Sequence, residues 1–345
     1  MLASDGRWTA RPRTGRGTVT VIAEAAQGFE GDVTLGKLLV RGAASAGADL
    51  VKFQLVYVDE LATPDYIHYE LFKNLEMPYE DWQAIVEEAR LCRIGIVFDV
   101  FGPRSLDLAI ELGADAVKIH ASDVFNHTLV TEVLRRAPHT FVSTGGVEAA
   151  EVEEFVRRHA DACSRVTLLC GFQAEPTATS DNHLARLGAF RTRFPLIALG
   201  FMDHADGDAD ESTWLAALAV PYGVTAIEKH LTLDRGLCLE DYVSAATPER
   251  FATFVSRLRA AEAAIGDADL ALSPAETAYR RKALKAVVAT RPLASGAEIA
   301  RGSVKLLRAP LADGRQPVFR LERVVGGRPT RDVLPGQPIY EDDLA

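Results

Sequence analysis

No run of about 18 or more apolar residues occurs anywhere in this 345-residue chain, so no segment reads as a membrane span. Cysteine is scarce. Cys92, Cys163, Cys170 and Cys238 have neither zinc-finger spacing nor the density of a disulfide-stapled secreted domain. Reduced core thiols and a cytoplasmic location are the expectation. A basic stripe is missing as well: 38 Lys and Arg stand against 48 Asp and Glu, a net charge of −10. That balance argues against nucleic acid as the main partner, and a small anionic substrate would then need local cations. Residues 1–17 lack the apolar core of a secretory signal and carry four Arg, so they are expected to form a flexible tail.

What is present is a soluble composition, 48% hydrophobic and 25% charged. Short β-rich runs recur along it: VTVIAEA from 19, DLVKFQLV from 49, IGIVFDVF from 94 and AVKIHAS from 116. HTFVSTGG from 139, VTLLCGFQ from 166, LIALGFMDH from 196 and TAIEKHLTL from 225 complete the series. Stretches of 3.6-residue apolar spacing lie between them, such as 33–48, 80–92 and 150–163. Eight alternations over about 250 residues predict an α/β fold, a (β/α)8 TIM barrel, over 18–266. Residues 267–282 read as a linker. From 283 to 345 short strand-like pieces punctuated by Gly and Pro predict a small β-rich domain.

In such a barrel the chemistry sits at the carboxyl ends of the strands. Polar residues gather there strand after strand: Glu24, then Lys52 and Gln54, then Lys118, Ser122 and Asp123. Ser143 and Thr144, Gln173, Asp203 and His204 continue the ring, and the eighth strand contributes Glu228, Lys229 and His230, with Asp241 in the loop beyond. His204 and His230 close neighbouring strands and can reach one ion. Two imidazoles without thiolates suit Mn²⁺, Zn²⁺, Co²⁺ or Fe²⁺, and Asp203 would support them. The remaining histidines, His120 among them, read as structural. Lys52 and Lys118, set among apolar residues, would together hold a phosphate or carboxylate. Glu24, Asp123 and Glu228 would form an acidic wall suited to moving protons or facing positive charge. Side-chain alternation puts Glu228 and His230 on one side of the strand and Lys229 on the other.

These pieces resemble the sialic acid synthases, N-acetylneuraminate synthase and its relatives, in which a barrel precedes a small antifreeze-like (SAF) domain. The resemblance is carried by VIAEAAQGFEGD, AGADLVKFQ, ELGADAVKIHASD, VSTGG, LGFMDHADG, AIEKHLTLDR and RAPLADG…VVGGRPTRDVLPGQPI, in the expected order. It implies a metal-dependent condensation of phosphoenolpyruvate with an open-chain sugar aldehyde, giving a 2-keto-3-deoxy sugar acid and phosphate. Mn²⁺ is the metal implied first, with Mg²⁺ or another divalent ion as alternative. Position by position, His204 and His230 match the metal ligands, Lys52 and Lys118 the donor lysines, and Ser143 a phosphate-side serine. Glu24, Gln54 and Asp241 match acceptor contacts, Asp123 stands where the family has Glu, and Glu228 matches the second acid. Arg308 matches an arginine that reaches the other subunit's barrel, implying a domain-swapped homodimer.

The departures concern hydroxyls and amides. Gly28, Phe29, Glu30 and Gly31 replace Asn-His-Asn-Gly, DVFGPR replaces a Ser-Thr-Pro-Phe stretch, and Ala121 and Met202 stand where the family has phosphate-side serines. Tyr242 follows Asp241 where the family has His. Two enzymatic readings follow: a synthase with a rearranged phosphate loop, or a metal-dependent aldolase or lyase that does not use phosphoenolpyruvate. A non-catalytic sugar-binding protein is the alternative from another class.

Overall fold

The computed structural model describes Trp8, residues 19–266 and residues 268–345. Apart from Trp8, the expected tail lies outside the described residues. Two compact units divide between residues 267 and 268.

In the first unit, eight parallel strands close into a barrel in chain order. They are β1 (Thr20–Ala26), β2 (Leu50–Leu55), β3 (Gly95–Val100), β4 (Ala116–Ile119), β5 (Thr140–Ser143), β6 (Val166–Cys170), β7 (Ala198–Asp203) and β8 (Ala226–His230). Each is one of the β-rich runs of the sequence. The helices that wrap them are α1 (Val33–Ser45), α2 (Val58–Leu61), α3 (Tyr69–Asn74), α4 (Tyr79–Leu91), α5 (Pro103–Glu111), α6 (His127–Arg136), α7 (Ala149–Arg158), α8 (Ala185–Arg193) and α9 (Pro248–Ile265). The Asp32 side chain caps α1 by accepting from Thr34 and Leu35 N–H. Pro103 and Pro248 open α5 and α9, where a missing N–H costs nothing. The seventh connection departs from the helical expectation. It is two 3₁₀ segments, Asp210–Thr213 and Leu215–Tyr222, the second containing Pro221, whose ring cannot sit inside a continuing α-helix.

Strand alternation sorts the barrel into an apolar floor and a polar mouth. Ile22, Leu50, Val97, Phe141, Leu169 and Met202 fill the interior's lower part, and Trp8 packs into the same cluster, 6% exposed. The Trp8 backbone N–H donates to Asp115 Oδ1 at 3.0 Å. One of the residues expected in a tail therefore closes the barrel's floor. Two residues further along each strand the interior turns to Glu24, Lys52, Asp99 and Lys118. Outside the barrel, Phe29 is fully buried against Phe53 and Trp82, with ring centroids 5.9 and 5.1 Å apart. The loop after β1 thus commits Phe29 to packing, a burial that contributes about 1.5–3 kcal/mol. Gly31 in that loop has a φ of +72°, and a Cβ there would meet Asn74 O at 2.1 Å, so the backbone requires glycine.

In the second unit, α10 (Pro274–Ala283) occupies most of the expected linker, opened by a capping box between Ser273 and Glu276. β9 (Ala286–Ala289) and β10 (Val304–Leu307) pair antiparallel, and Val287, Ile299, Val318, Val324, Val333 and Ile339 form a separate core. Asp343, fully buried, accepts from Arg315 at 2.6 Å, from Arg331 at 2.5 Å and from Tyr340 N–H at 3.0 Å.

Candidate active site

The barrel's mouth opens into a cavity of about 560 Å³ lined by the carboxyl ends of the strands and the loops beyond them. Glu24, Gln54, Asp99, Lys118, Glu228 and His230 face it from the strands, and Gln173, Glu175, His204 and Asp241 from the loops. Register explains the convergence. Glu24 on β1 lies level with Lys52 on β2 and with His230 on β8, Gln54 with Asp99, and Asp99 with Lys118.

At the cavity's base, the Lys52 ammonium is in contact with Glu24 and donates to Asp99 Oδ2 at 2.7 Å. Lys118 donates to Glu228 Oε1 at 2.7 Å and lies 3.9 Å from Asp99 Oδ2 and 4.0 Å from Glu24. Burial works against the Lys52 ammonium, but Asp99, Glu228 and Glu24 outweigh it and hold its pKa well above the usual lysine range. Two ammonium groups thus meet three carboxylates. Neighbouring charge separates the two equally buried glutamates. Burial raises Glu24 to about 7 despite Lys52, whereas at Glu228 the charges of Lys118 and Lys52 overcome burial and bring the carboxyl down to about 2. One acid can exchange a proton near neutrality, and the other stays ionised.

His204 and His230 stand beside each other with ring centroids 4.8 Å apart. Backbone contacts fix them: His204 O accepts from Thr177 N–H at 2.8 Å, and His230 O from Ala246 N–H at 3.0 Å. Burial first, and nearby positive charge besides, keeps both rings neutral; His204 falls to about 4 and His230 well below its ordinary value. Neutral imidazoles present lone pairs, and buried His204 Nδ1 has no hydrogen-bond partner. This donor pair fits a divalent ion completed by water or substrate. Among the described residues no three His, Cys, Asp or Glu side chains converge as a full protein ligand set. Asp241 approaches His230 Nδ1 at 3.9 Å and adopts a left-handed backbone, φ +61°. Burial, then its hydrogen bond to Glu175, raises its carboxyl to about 8.

Several expectations need correction. Asp123 does not line the cavity. β4 stops at Ile119, and the 3₁₀ turn Ala121–Asp123 turns Asp123 toward Ser122 and Asn126, which donate to it at 2.9 and 3.2 Å. Asp203 points to the barrel's outer side, where it bonds Lys229 and accepts from Ala205 N–H at 3.0 Å; it shapes the turn that carries His204. His120, expected to be structural, faces the cavity. Cys238 is exposed rather than in the core. Ser143 is buried beside the cavity, its hydroxyl 3.4 Å from Gln173 Oε1 and 3.7 Å from Met202 Sδ. Arg308 is exposed in the second unit. Sequence reading missed Asp99, Gln27 and Phe101, which line the cavity together with Glu175, Tyr66 and Phe72. A lone acid inside IGIVFDVF has to be paired to be buried, but the partners of Asp99 lie on other strands and the segment itself does not show them.

Comparison with known proteins places this geometry. The NeuB family profile matches residues 39–269. The chain belongs to the NeuB family. The SAF domain profile matches residues 285–345. Family membership makes the protein an enzyme of the sialic acid synthase type. Among curated relatives, it is 28% identical to the N,N'-diacetyllegionaminic acid synthase of Legionella pneumophila, with 97% of each chain covered. It is 27% identical to a pseudaminic acid synthase of Campylobacter jejuni, covering 94% of this chain and 96% of that one. Among solved structures, the N-acetylneuraminic acid synthetase of Leptospira borgpetersenii superposes with a TM-score of 0.72 at 26% identity, over 78% of this chain and 93% of that one.

Proposed function

We propose that this NeuB-family protein condenses phosphoenolpyruvate with an open-chain sugar aldehyde, releasing phosphate and a 2-keto-3-deoxy sugar acid. The observation that carries this reading is the buried lysine pair, Lys52 and Lys118, set beneath a mouth that also holds His204 and His230. Two ammonium groups at one cavity base suit a donor bearing both carboxylate and phosphate. A divalent ion at His204 and His230, Mn²⁺ first, would polarise the acceptor's aldehyde oxygen. Gln54, Gln27 and Asp241 are placed to hydrogen-bond the acceptor's hydroxyls. Glu24, titrating near 7, handles the proton of the attacking water or the new hydroxyl. Glu228, ionised throughout, faces the positive charge that develops at carbon 2. In the same reading Arg308 serves a second copy of the chain, so mixed His204→Ala and Arg308→Ala proteins should recover activity that neither has alone.

Asp99 favours a second reading, because a third carboxylate beside two lysines suits a less charged oxo-acid such as pyruvate. Calorimetric titration of phosphoenolpyruvate and, separately, pyruvate into Mn²⁺-loaded protein decides between them. Metal-strengthened phosphoenolpyruvate binding that Lys118→Ala abolishes supports the synthase, to be followed by phosphate release with a panel of sugar aldehydes. Binding of pyruvate alone gives the aldolase reading the lead.

A further inference from the structure

We propose that Asp99 keeps one proton on the phosphate of the bound donor, so that phosphoenolpyruvate is held as its hydrogen-phosphate form. The inference rests on the donor reading above and adds a chemical state to it. Asp99 is fully buried and faces the cavity. Its Oδ2 accepts from Lys52 at 2.7 Å, while its Oδ1 has no hydrogen-bond partner. The charged and titratable groups around it are Glu24 on β1, Lys52 on β2, Lys118 on β4, His120 just beyond β4 and Glu228 on β8. Both ammonium groups that recommend this cavity for an anion lie within 3.9 Å of Asp99. A phosphate held by those ammonium groups therefore sits beside the Asp99 carboxylate, whose Oδ1 is the oxygen left without a donor.

Asp99 Oδ1 and a bare phosphate oxygen are both acceptors, and with no hydrogen between them they repel. A P–OH group supplies that hydrogen. It satisfies an orphan oxygen whose burial is otherwise unfavourable. The proton is readily available, since a phosphate monoester loses its second proton near pH 6. This also accounts for the absence of family hydroxyls on the phosphate side. Serine and threonine can donate to a fully ionised phosphate, whereas an aspartate accepts from a protonated one.

The retained proton has a consequence for departure of the leaving group. When carbon 2 carries both a hydroxyl and the phosphate ester, the bond from carbon 2 to the ester oxygen breaks and its electron pair stays with phosphate. The hydroxyl becomes the new carbonyl and gives its proton to a pocket carboxylate. With its proton kept, the group leaves as HPO₄²⁻; without it, the same step would expel PO₄³⁻.

The ³¹P resonance of phosphoenolpyruvate bound to the Mg²⁺-loaded protein reads the phosphate proton directly. Between pH 6 and 8.5 the wild-type bound resonance should stay at the hydrogen-phosphate position while the free ligand moves to the fully ionised one. In Asp99→Asn, whose amide can donate, the bound resonance should sit at the fully ionised position across that range. Dissociation constants should follow: about tenfold weaker binding per pH unit above pH 6 in the wild type and a flatter profile in the variant. A wild-type resonance at the fully ionised position at pH 8.5 overturns the inference without any variant, and so does an unchanged resonance in a folded Asp99→Asn. Absence of a bound resonance in both proteins overturns the donor reading itself and removes the inference with it.

Discussion

Lys229 donates a 2.9 Å hydrogen bond to Asp203 Oδ2, and both side chains are fully buried. The pair bridges β7 and β8 on the barrel's outer side, directly behind the strand ends that carry His204 and His230. A buried ion pair is costly to break, because removing one partner strands the other charge. Lys229→Met should therefore lower stability by about 3–5 kcal/mol in chemical denaturation. The double variant Lys229→Met with Asp203→Leu should recover most of that loss. Full additivity of the two single losses would show that the charges are not coupled.

Glu24 should dominate the pH dependence of turnover. Its carboxyl titrates near 7 because burial outweighs the attraction of Lys52. Glu24→Gln should reduce kcat by about 10²–10⁴ and remove an inflection near pH 7 from the rate profile. The stability sign is fixed by the same shift. A raised carboxyl pKa contributes stability fully present below the ordinary value of 4.5 and lost as pH rises through about 7. Denaturation of metal-free protein at pH 5 and pH 8 should therefore differ less in Glu24→Gln than in the wild type.

His139 provides the opposite case, away from the site. It is buried beside Trp8 and Phe141, and its Nε2 lies 3.0 Å from Thr167 Oγ1. Burial, with help from Arg165, lowers its pKa from 6.5 to about 4. A depressed histidine contributes stability present above 6.5 and lost as pH falls through about 4, a loss of roughly 3 kcal/mol from this group at pH 4. Thermal or urea unfolding of His139→Gln should show a shallower acid limb by that amount. An identical acid limb would assign the loss to other groups.

The strands could be read from the sequence because all eight are short β-rich runs closed on both faces, and β7 and β8 each deliver a histidine at the same level of the barrel. The alternation in AIEKH likewise separated Glu228 and His230 from Lys229. What could not be read depends on where each strand stops. β4 ends at Ile119, so Asp123 is carried sideways by a 3₁₀ turn, although it lies only five residues beyond Lys118. Asp99 was hidden in the opposite way. Its neighbours Phe98, Val100 and Phe101 are buried apolar residues, and the ion pairs that make its burial tolerable come from β2 and β4, which no local pattern reports. Trp8 is the same kind of omission, since its partners on Leu50, Val97 and Phe141 are far away along the chain.

Among the described residues, the indole of Trp8 packs the barrel's floor opposite the mouth. In the proposed chemistry the smaller, more highly charged reactant must travel past Gln54 and Asp241 to reach the lysines, and the sugar then occupies the passage it used. Loading in the reverse order would trap the sugar above an empty floor. High acceptor concentrations should accordingly slow the reaction, and phosphate, lying deepest, should be the last species to leave.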